Sequence, residues 1–475
     1  MADRLADLVD AARRRGATYA DARHVERERE SVSVKDGLVG DVERGGDRGI
    51  GLRVVHSGAW GFAATDGASE HDLGRLVDDA VARAMASAET RRAPVRLAPL
   101  APQRGTYRTP LRRDPFAVSM AERIDLLRAA DAALRGPNAR ARRSGVFAFR
   151  TRKRLVTSEG TDVEQEIVET ATSLSVLALK AGAKPAQRYD MRNARQAGWE
   201  FVEAEDLPRR AAEYRDDAEA TLDAPLALPR PTTVVLDQPF LALLVHESCG
   251  HPTESDRVLE HEVAFAGTSF MRPGDRGLLR YGSEHVSITA DATVPGGMGT
   301  FGWDDDGVPA TRTPLIERGV FVGYLTSRET AAELGFAASG GSARAEGWQH
   351  FPIVRMVNVS LEPGPRRYDD LVREIDDGLL LCSPASYSLD DRRQNFHFSS
   401  QVARVIRNGE IQGHVRGAAF QSLTTDFWSR CDGVADDWQL HGFLSCAKGE
   451  PLQLMHVAHG AAHARFRDLP LEVVA

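Results

Sequence analysis

The sequence predicts an α+β fold, with an N-terminal domain of helices on a mostly antiparallel sheet and a C-terminal, largely antiparallel β domain. Three patterns predict this class. Apolar residues recur at helical spacing in several segments of the first half, and strand-like runs separated by turn residues lie between those segments. The second half consists mainly of short strands with turns between them. One strongly apolar helix near its start interrupts that pattern.

The N-terminal domain is expected to span residues 1–225. Its first helix places Leu5, Leu8 and Val9 on one apolar face and stops at Gly16. The elements predicted after it are strands at 19–25, 30–35 and 49–55, a turn at Asp36-Gly37, a hairpin at 54–62, and a helix to about Ala88 that opens with a capping box of Ser69 and Asp72.

A segment at about 91–115 is expected to be a connection over the protein surface, because it holds five prolines and few apolar repeats. The sequence then predicts a helix at 119–134, strands within 145–179 and an exposed helix at 207–221. A second proline-containing stretch, at 224–231, marks the predicted boundary with the C-terminal domain, residues 226–475.

Composition narrows the class of protein. The chain has 475 residues and a net charge of −8, without a block of clustered Lys and Arg, so no nucleic-acid partner is expected. No apolar run reaches membrane length, so no membrane partner is expected either. The four cysteines lack CxxC spacing and indicate a reducing compartment, which predicts a cytoplasmic protein.

The chemistry of the chain concentrates at the end of the apolar helix, in the stretch VVLDQPFLALLVHESCGHPTESD (234–256). His246, Glu247 and His251 follow the apolar face directly, and burying two imidazoles and a carboxylate there is costly unless a partner such as a metal ion satisfies them. Zinc accepts imidazole ligands and acidifies water, and a neighbouring carboxylate then serves as general base. Glu247 is placed for that role, as in helical HExxH metalloproteases.

The spacing HExxxH is one residue longer than HExxH. On an ideal α-helix, residues five apart point roughly 140° away from each other, so His246 and His251 can share a metal only if the helix is distorted. We therefore predict a π-type bulge or an unwound turn near Gly250, which Pro252 follows closely. The alternative, in which these are ordinary polar residues at a helix end, stays open on the sequence alone.

A third ligand cannot be chosen from chemistry, because thiolate, carboxylate and imidazole all bind zinc. The candidates are Cys249, Glu254, His261, Cys382, Cys431 and Cys446. Other polar residues could also bind a ligand, although structural pairing or a polar turn is the simpler interpretation of each. Asp304, Asp305 and Asp306 could form a cation site, and His456, His459 and His463 could bind a metal. Arg344, Arg355 and Asn358 could contact the substrate, as could His397 near the metal.

Beyond these patterns, the chain resembles the TldD/PmbA family over nearly its whole length. The most specific match is HESCGHPTESDRVLEHEVAFAGTSF (246–270), with further blocks at Tyr19 to Asp66 and in the C-terminal half, including WDDDGVPATRTPLIERGVFVGYLTSRETA and VARVIRNGEIQGHVRG. The resemblance implies a zinc peptidase that acts on unfolded peptides or peptide precursors. It also implies a homodimer, or a heterodimer with a metal-free paralogue.

The resemblance also implies a third ligand. The family uses a C-terminal cysteine in a Cys-Gly-Lys block, and the matching stretch LSCAKGEP assigns that role to Cys446, with Ala447 where glycine is usual. The chain departs from the family at SPASYSLDDRRQNFHF (383–398), where members commonly have a glycine-rich segment, so substrate preference cannot be carried over.

The sequence thus predicts a zinc-dependent peptidase in which His246, His251 and Cys446 bind Zn²⁺ and Glu247 activates the attacking water. Two alternatives remain. The chain could be a non-cleaving partner subunit of a heteromeric peptidase, or a metal-dependent amidase that acts on a modified small substrate.

Overall fold

A computed structural model describes residues 4–190, 193–264 and 267–474. These residues form mixed α+β structure with mostly antiparallel sheets, and the predicted fold class is confirmed. No helix in the described part of the chain is long and apolar enough to span a membrane.

The first sheet has eight strands in the order β3-β2-β1-β5-β6-β4, with β7 and β8 also paired to β6. Its strands are β1 (Tyr19–Lys35), β2 (Leu38–His56), β3 (Ala59–Thr65), β4 (Arg104–Arg108), β5 (Ala139–Thr157), β6 (Asp162–Ala178), β7 (Ala186–Tyr189) and β8 (Asn193–Arg195). Its helices are α1 (Leu5–Arg14), α2 (Glu70–Ala88), α3 (Met120–Ala133), α4 (Trp199–Ala204) and α5 (Leu207–Leu222), with a 3₁₀ turn at Pro115–Ala117. Helices α1 and α2 pack on one cluster of apolar side chains, and α3, α4 and α5 on another.

Several local predictions are confirmed in this half. The turn between β1 and β2 uses Asp36 (φ +53°) and Gly37 (φ +84°), and Ser69 and Asp72 form the capping box of α2. The strands predicted at 19–25 and 30–35 are one continuous strand, β1. Its middle is only partly buried and carries charged residues on both faces, so the sequence there does not look like a strand. Apolar alternation is therefore interrupted while backbone pairing continues.

The proline-rich segment differs from the prediction in one respect. Residues Arg104–Arg108 form strand β4, which pairs parallel to β6 from Asp162 to Glu166. This strand is polar and mostly exposed at the edge of the sheet, so it lacks the apolar alternation by which strands are recognised in sequence.

The C-terminal half contains a seven-stranded sheet that closes on itself, because β16 pairs with both β9 and β17 in the cycle β16-β9-β23-β19-β17. Its strands are β9 (Pro231–Leu236), β16 (Asp377–Leu389), β17 (Asn395–Arg407), β18 (Glu410–Val415), β19 (Ala418–Leu423), β20 (Cys431–Val434) and β23 (Ala464–Val473). The smaller sheets contain β10 (Ile288–Asp291), β11 (Arg312–Glu317), β12 (Val320–Phe321), β13 (Ala343–Arg344), β14 (Ile353–Val354), β15 (Val359–Leu361), β21 (Gln439–Lys448) and β22 (Gln453–Ala461).

The helices of this half are short. They are α6 (Gln238–Val245), α7 (Ser255–Val258), α8 (Arg328–Glu333), α9 (Tyr368–Arg373) and α10 (Thr424–Ser429), with a π turn at His246–Gly250 and 3₁₀ turns at His251–Thr253 and Pro273–Asp275. Helix α6 begins at Asp237, whose carboxylate accepts the backbone N–H of Phe240 at 2.9 Å. It is buried on every side, so it runs through the core rather than over it.

Buried ion pairs connect the two halves at the loop that follows residue 303. Asp305 lies 2.6 Å from Nζ of Lys153 and 3.6 Å from Arg23, and Asp306 accepts a hydrogen bond from Arg53 at 2.7 Å. These acids are therefore neutralised by side chains of the first sheet, which favours the polar-turn interpretation of this loop over a cation site. Burial acts to raise the pKa of Asp305, but Lys153 and Arg23 outweigh it and hold the pKa at about 2.

Asp305→Asn is expected to lower the free energy of unfolding at pH 7 by about 3 kcal/mol, because Lys153 and Arg23 stay buried without their counter-charge. The folded-state pKa of Asp305, about 2, lies below its ordinary 3.8, so its contribution is present above about pH 4 and is lost as pH falls through about 2. The difference in free energy of unfolding between wild type and Asp305→Asn should therefore shrink as pH falls from about 4 to about 2, which urea unfolding at a series of pH values measures.

Asp78→Asn is the matched control. Asp78 pairs with Arg15 at 2.7 Å on the surface, where both side chains are exposed, so its loss should cost less than about 1 kcal/mol. Equal losses for the two variants, or a difference for Asp305→Asn that does not change with pH, would contradict this account of the loop.

Candidate metal centre

The apolar helix α6 ends in a π turn, His246–Gly250, directly at the HExxxH motif. A π turn completes one revolution in about five residues, so it brings side chains five apart onto the same side. The imidazole rings of His246 and His251 accordingly meet edge to face, with centroids 4.8 Å apart. The predicted helix distortion is confirmed.

Packing and hydrogen bonds around the π turn explain why it forms. A Cβ atom at Gly250 would lie 2.1 Å from the sulfur of Met356, so a larger residue there would displace the buried Met356 side chain. Ser248 donates to the carbonyl of Leu244 at 2.6 Å, while the hydroxyl of Tyr281 donates to the carbonyl of Ser248 at 3.1 Å. Trp428 donates its indole N–H to the Ser248 hydroxyl at 3.0 Å. The carbonyl and the hydroxyl of Ser248, in the middle of the turn, thus have partners.

Strand β21 brings Cys446 to the two histidines. Its Sγ lies 3.8 Å from Nε2 of His251, and one ligand atom from each of His246, His251 and Cys446 lies within 4.8 Å of the others. Zinc bonds to nitrogen at about 2.0–2.1 Å and to thiolate sulfur at about 2.3 Å, so these atoms need to approach one another only slightly to share one ion. All three side chains are buried, and their donor set suits zinc.

Hydrogen bonds fix the tautomers of both histidines in the form that a metal requires. His459 can only donate through Nδ1 to the carbonyl of Val359 (2.7 Å), so its neutral ring accepts at Nε2 the Nδ1–H of His246 (2.7 Å). Likewise, Nδ1–H of His251 donates to the carboxylate of Glu254 at 2.9 Å. Both rings therefore present an unprotonated Nε2, which is the atom that can bind a metal.

The electrostatics favour the deprotonated ligands as well. Burial lowers the pKa of His246 and of His251, so both rings stay neutral. Burial acts to raise the pKa of the Cys446 thiol, but its contact with His251 and the charge of Arg355 outweigh burial, so this pKa lies below its ordinary value. A cysteine with a lowered pKa is closer to the thiolate form that binds zinc.

A buried charge network holds β21 against the histidine segment. Lys448, two residues after Cys446, is fully buried and donates to Asp256 at 2.6 and 2.8 Å and to the carbonyl of Val354 at 2.7 Å. Arg355 donates to the carbonyl of Cys446 itself. The position of the thiol is therefore set by ion pairs and backbone contacts as well as by strand pairing.

Glu247 follows His246 directly in the π turn, and its side chain is 9% exposed. One of its carboxylate oxygens lies 3.5 Å from Nε of Arg393, at the tip of the β16–β17 hairpin. Burial raises the pKa of Tyr387 on the same hairpin, and the nearby charges of Glu247 and Cys446 raise it further. The tip of this hairpin therefore lies next to Glu247.

The other candidates for a third ligand have different surroundings. Glu254 supports His251 and also accepts a hydrogen bond from Arg257 at 2.9 Å, so it stands behind the ligand. His261 is partly exposed beside Glu333. Three cysteines are free and lie outside the cluster: Cys249, Cys382 and Cys431.

The remaining polar groups singled out in the sequence have structural partners. His456 and His463 do not join His459 but pair with Glu169 and Asp437, each at 2.6 Å. His397 lies 3.8 Å from Glu472, and no contact with the three ligand residues is found for it within the described chain. The side chains of Arg344, Arg355 and Asn358 all donate to backbone carbonyls.

The sequence does not predict two contacts of the site, that of His459 with His246 and that of Arg393 with Glu247. His459 supports His246 across 213 residues of chain, and only the packing of β22 against the helix reveals it. Arg393 lies in the 383–398 stretch, which was noted for its charges, but the sequence does not indicate which of them reaches Glu247.

Comparison with known families covers most of the chain. Residues 229–469 match the PmbA/TldA metallopeptidase C-terminal domain, residues 20–88 match domain 1 of that family, and residues 113–215 match its central domain. The first of these matches includes all three convergent ligand residues and Glu247.

Individual proteins agree with this match. A metalloprotease of Methanothermobacter thermautotrophicus is 29% identical over 95% of this chain and 94% of its own length, and one of Methanocaldococcus jannaschii is 28% identical over 89% and 90%. In fold, TldE from Thermococcus kodakarensis superposes with a TM-score of 0.78 at 17% identity over 99% of this chain and 100% of its own. The chain therefore belongs to the TldD/PmbA family of metallopeptidases.

Proposed function

We propose that the protein is a zinc-dependent peptidase in which His246, His251 and Cys446 hold the ion and Glu247 is the general base. The observation that carries this proposal is the convergence of two unprotonated imidazole nitrogens and a buried thiol within 4.8 Å, directly beside a carboxylate. Three protein ligands with one open position are typical of catalytic rather than structural zinc.

When bound, zinc supplies a Lewis acid that makes water acidic enough to attack a peptide carbonyl. Glu247 takes the proton of the attacking water and later returns it to the leaving amine, so the carboxylate is regenerated in each cycle. His459 and Glu254 hold the two imidazoles in fixed orientation. Lys448 keeps β21, and with it Cys446, in position.

The substrate class that we propose is unfolded peptides or peptide precursors. The support is physical: an antiparallel body offers strand edges along which an extended peptide can lie, and a folded protein cannot present such a chain. We further propose that the protein acts as a dimer, with itself or with a metal-free paralogue, and that it is cytoplasmic. The free state of the four described cysteines supports a reducing compartment.

Glu247→Gln is expected to lower peptide turnover about 10³-fold while zinc content stays near one ion per chain, because the carboxylate moves a proton but is not a ligand. Cys446→Ser should instead lose most of the zinc. The measurements are metal analysis after dialysis and digestion of an unfolded protein and short peptides.

These variants also separate the proposed function from its two alternatives. A wild-type chain that binds zinc but leaves every peptide intact would be a non-cleaving partner subunit. Turnover of acylated small amines without turnover of peptides would indicate an amidase. Activity that survives exhaustive chelation would contradict the proposal as a whole.

His459→Phe is expected to weaken zinc binding about 10- to 100-fold, because Nδ1 of His246 then loses its acceptor and the ring its fixed tautomer. Competition with a chromophoric chelator measures this affinity without reference to activity. His456→Phe is the matched control on the same strand, since His456 pairs with Glu169 instead. Equal affinities for wild type and His459→Phe would contradict the supporting role of His459.

A further inference from the structure

The tip of the β16–β17 hairpin, residues 390–394, brings an arginine to the general base. Nε of Arg393 lies 3.5 Å from Oε2 of Glu247, and the side chain of Arg393 is 20% exposed. Nη1 donates to the carbonyl of Asp390 at 3.1 Å, whereas Nε is buried and has no hydrogen-bond partner among the described residues. The guanidinium therefore lies beside the carboxylate without a regular hydrogen bond from Nε to it, and the side chain keeps some exposed surface.

The backbone of Arg393 is fixed although it lies in a hairpin tip. Its φ of +61° is unusual for a residue other than glycine. Its N–H donates to the carbonyl of Asp390 at 3.0 Å, and the hydroxyl of the buried Thr424 donates to its carbonyl at 2.9 Å. The carboxylate of Asp390 accepts the backbone N–H groups of Gln394 and Asn395 at 2.8 and 3.2 Å. The backbone of the tip is therefore held from several directions.

Neighbouring segments hold the tip as well. The backbone N–H of Phe270 donates to the carbonyl of Arg392 at 3.0 Å, so the hairpin is tied to the loop that follows the histidine segment. The side chain of Arg392 is exposed, unlike that of Arg393. Of the two adjacent arginines, only one is therefore turned towards Glu247.

Peptide hydrolysis develops negative charge next to the general base. We propose that Arg393 is a catalytic residue that donates a hydrogen bond to the carbonyl oxygen of the scissile peptide bond. This inference rests on the proposed peptidase function and deepens it. A fixed, partly desolvated guanidinium is a strong donor to an oxyanion, and it costs little reorganisation during the reaction.

The step balances with water as the only co-reactant. The water oxygen forms a bond to the carbonyl carbon, the π electrons move to the carbonyl oxygen, and Glu247 takes the released proton. The oxyanion, paired with Arg393, then re-forms the carbonyl as the C–N bond breaks, and the leaving nitrogen takes the proton from Glu247. Arg393 stays protonated throughout, because its role is to stabilise charge rather than to transfer a proton.

The test compares Arg393→Asn and Arg393→Lys with wild type. Asparagine tolerates positive φ, so it removes the guanidinium without adding backbone strain. We expect kcat for a peptide substrate to fall about 100-fold in Arg393→Asn with KM within about 3-fold, and to fall less in Arg393→Lys. Arg392→Ala is the matched control at the same tip and should keep wild-type constants.

A second readout does not need turnover. A phosphinic peptide, whose tetrahedral phosphorus carries an anionic oxygen in place of the scissile carbonyl, should bind Arg393→Asn about 100-fold more weakly than wild type. The parent peptide should bind Glu247→Gln with the same affinity, within about 3-fold, whether or not Arg393 is also changed. Zinc content and melting temperature should match wild type in all variants.

Three results would overturn the role of Arg393. These are an unchanged kcat and phosphinic-peptide affinity in Arg393→Asn, a loss confined to KM, and a rise in kcat, which would mean that Arg393 blocks the site. An inactive wild type would overturn the proposed function instead, and the phosphinic-peptide comparison would still decide whether Arg393 pairs with the oxyanion.

Discussion

The site depends on the attachment of strand β21 to the segment that follows helix α6. The two rings and the thiol come from positions 195 residues apart, between His251 and Cys446, and no local propensity brings them together. The attachment is the fully buried ammonium of Lys448, which contacts the carboxylates of Asp256 and Glu254. Such a charge is tolerated only when its partners are complete, so the network enforces one position of the strand.

The same carboxylate links this network to the ligands. Glu254 accepts from His251 on one side and from Arg257 on the other. Burial acts to raise its pKa, but Lys448, His251 and Arg257 outweigh it and keep the pKa well below its ordinary value. The ionised carboxylate of Glu254 accepts a hydrogen bond from Nδ1–H of His251, so the proton stays on Nδ1 and Nε2 stays unprotonated. The same buried charges therefore attach β21 to the histidine segment and fix the tautomer of His251.

The sequence predicts the parts of this arrangement that have a short range. The five-residue spacing of the histidines predicts a distorted helix, with a π-type bulge or an unwound turn near Gly250, and the structure has the π turn. Cys446 could be assigned only by resemblance, because chemistry allows six residues. His459 was out of reach, since its contact with His246 depends on how β22 packs against the end of α6, and that packing follows from tertiary structure alone. Strand β4 was missed because an edge strand needs no apolar face.

The inner and outer faces of the site are built differently, and this difference bears on specificity. The inner face consists of buried imidazoles, a buried thiol and their buried partners, so a substitution there disturbs the arrangement of His246, His251 and Cys446. The outer face is the end of the β16–β17 hairpin, where Arg393 in the tip and Tyr387 in β16 retain exposed surface. The carboxylate of Asp390 and the hydroxyl of Thr424 fix the backbone of the tip. The other side chains of the tip can therefore change without disturbing strand pairing. Exposed side chains of the tip, such as that of Arg392, can therefore vary while His246, His251 and Cys446 keep their positions.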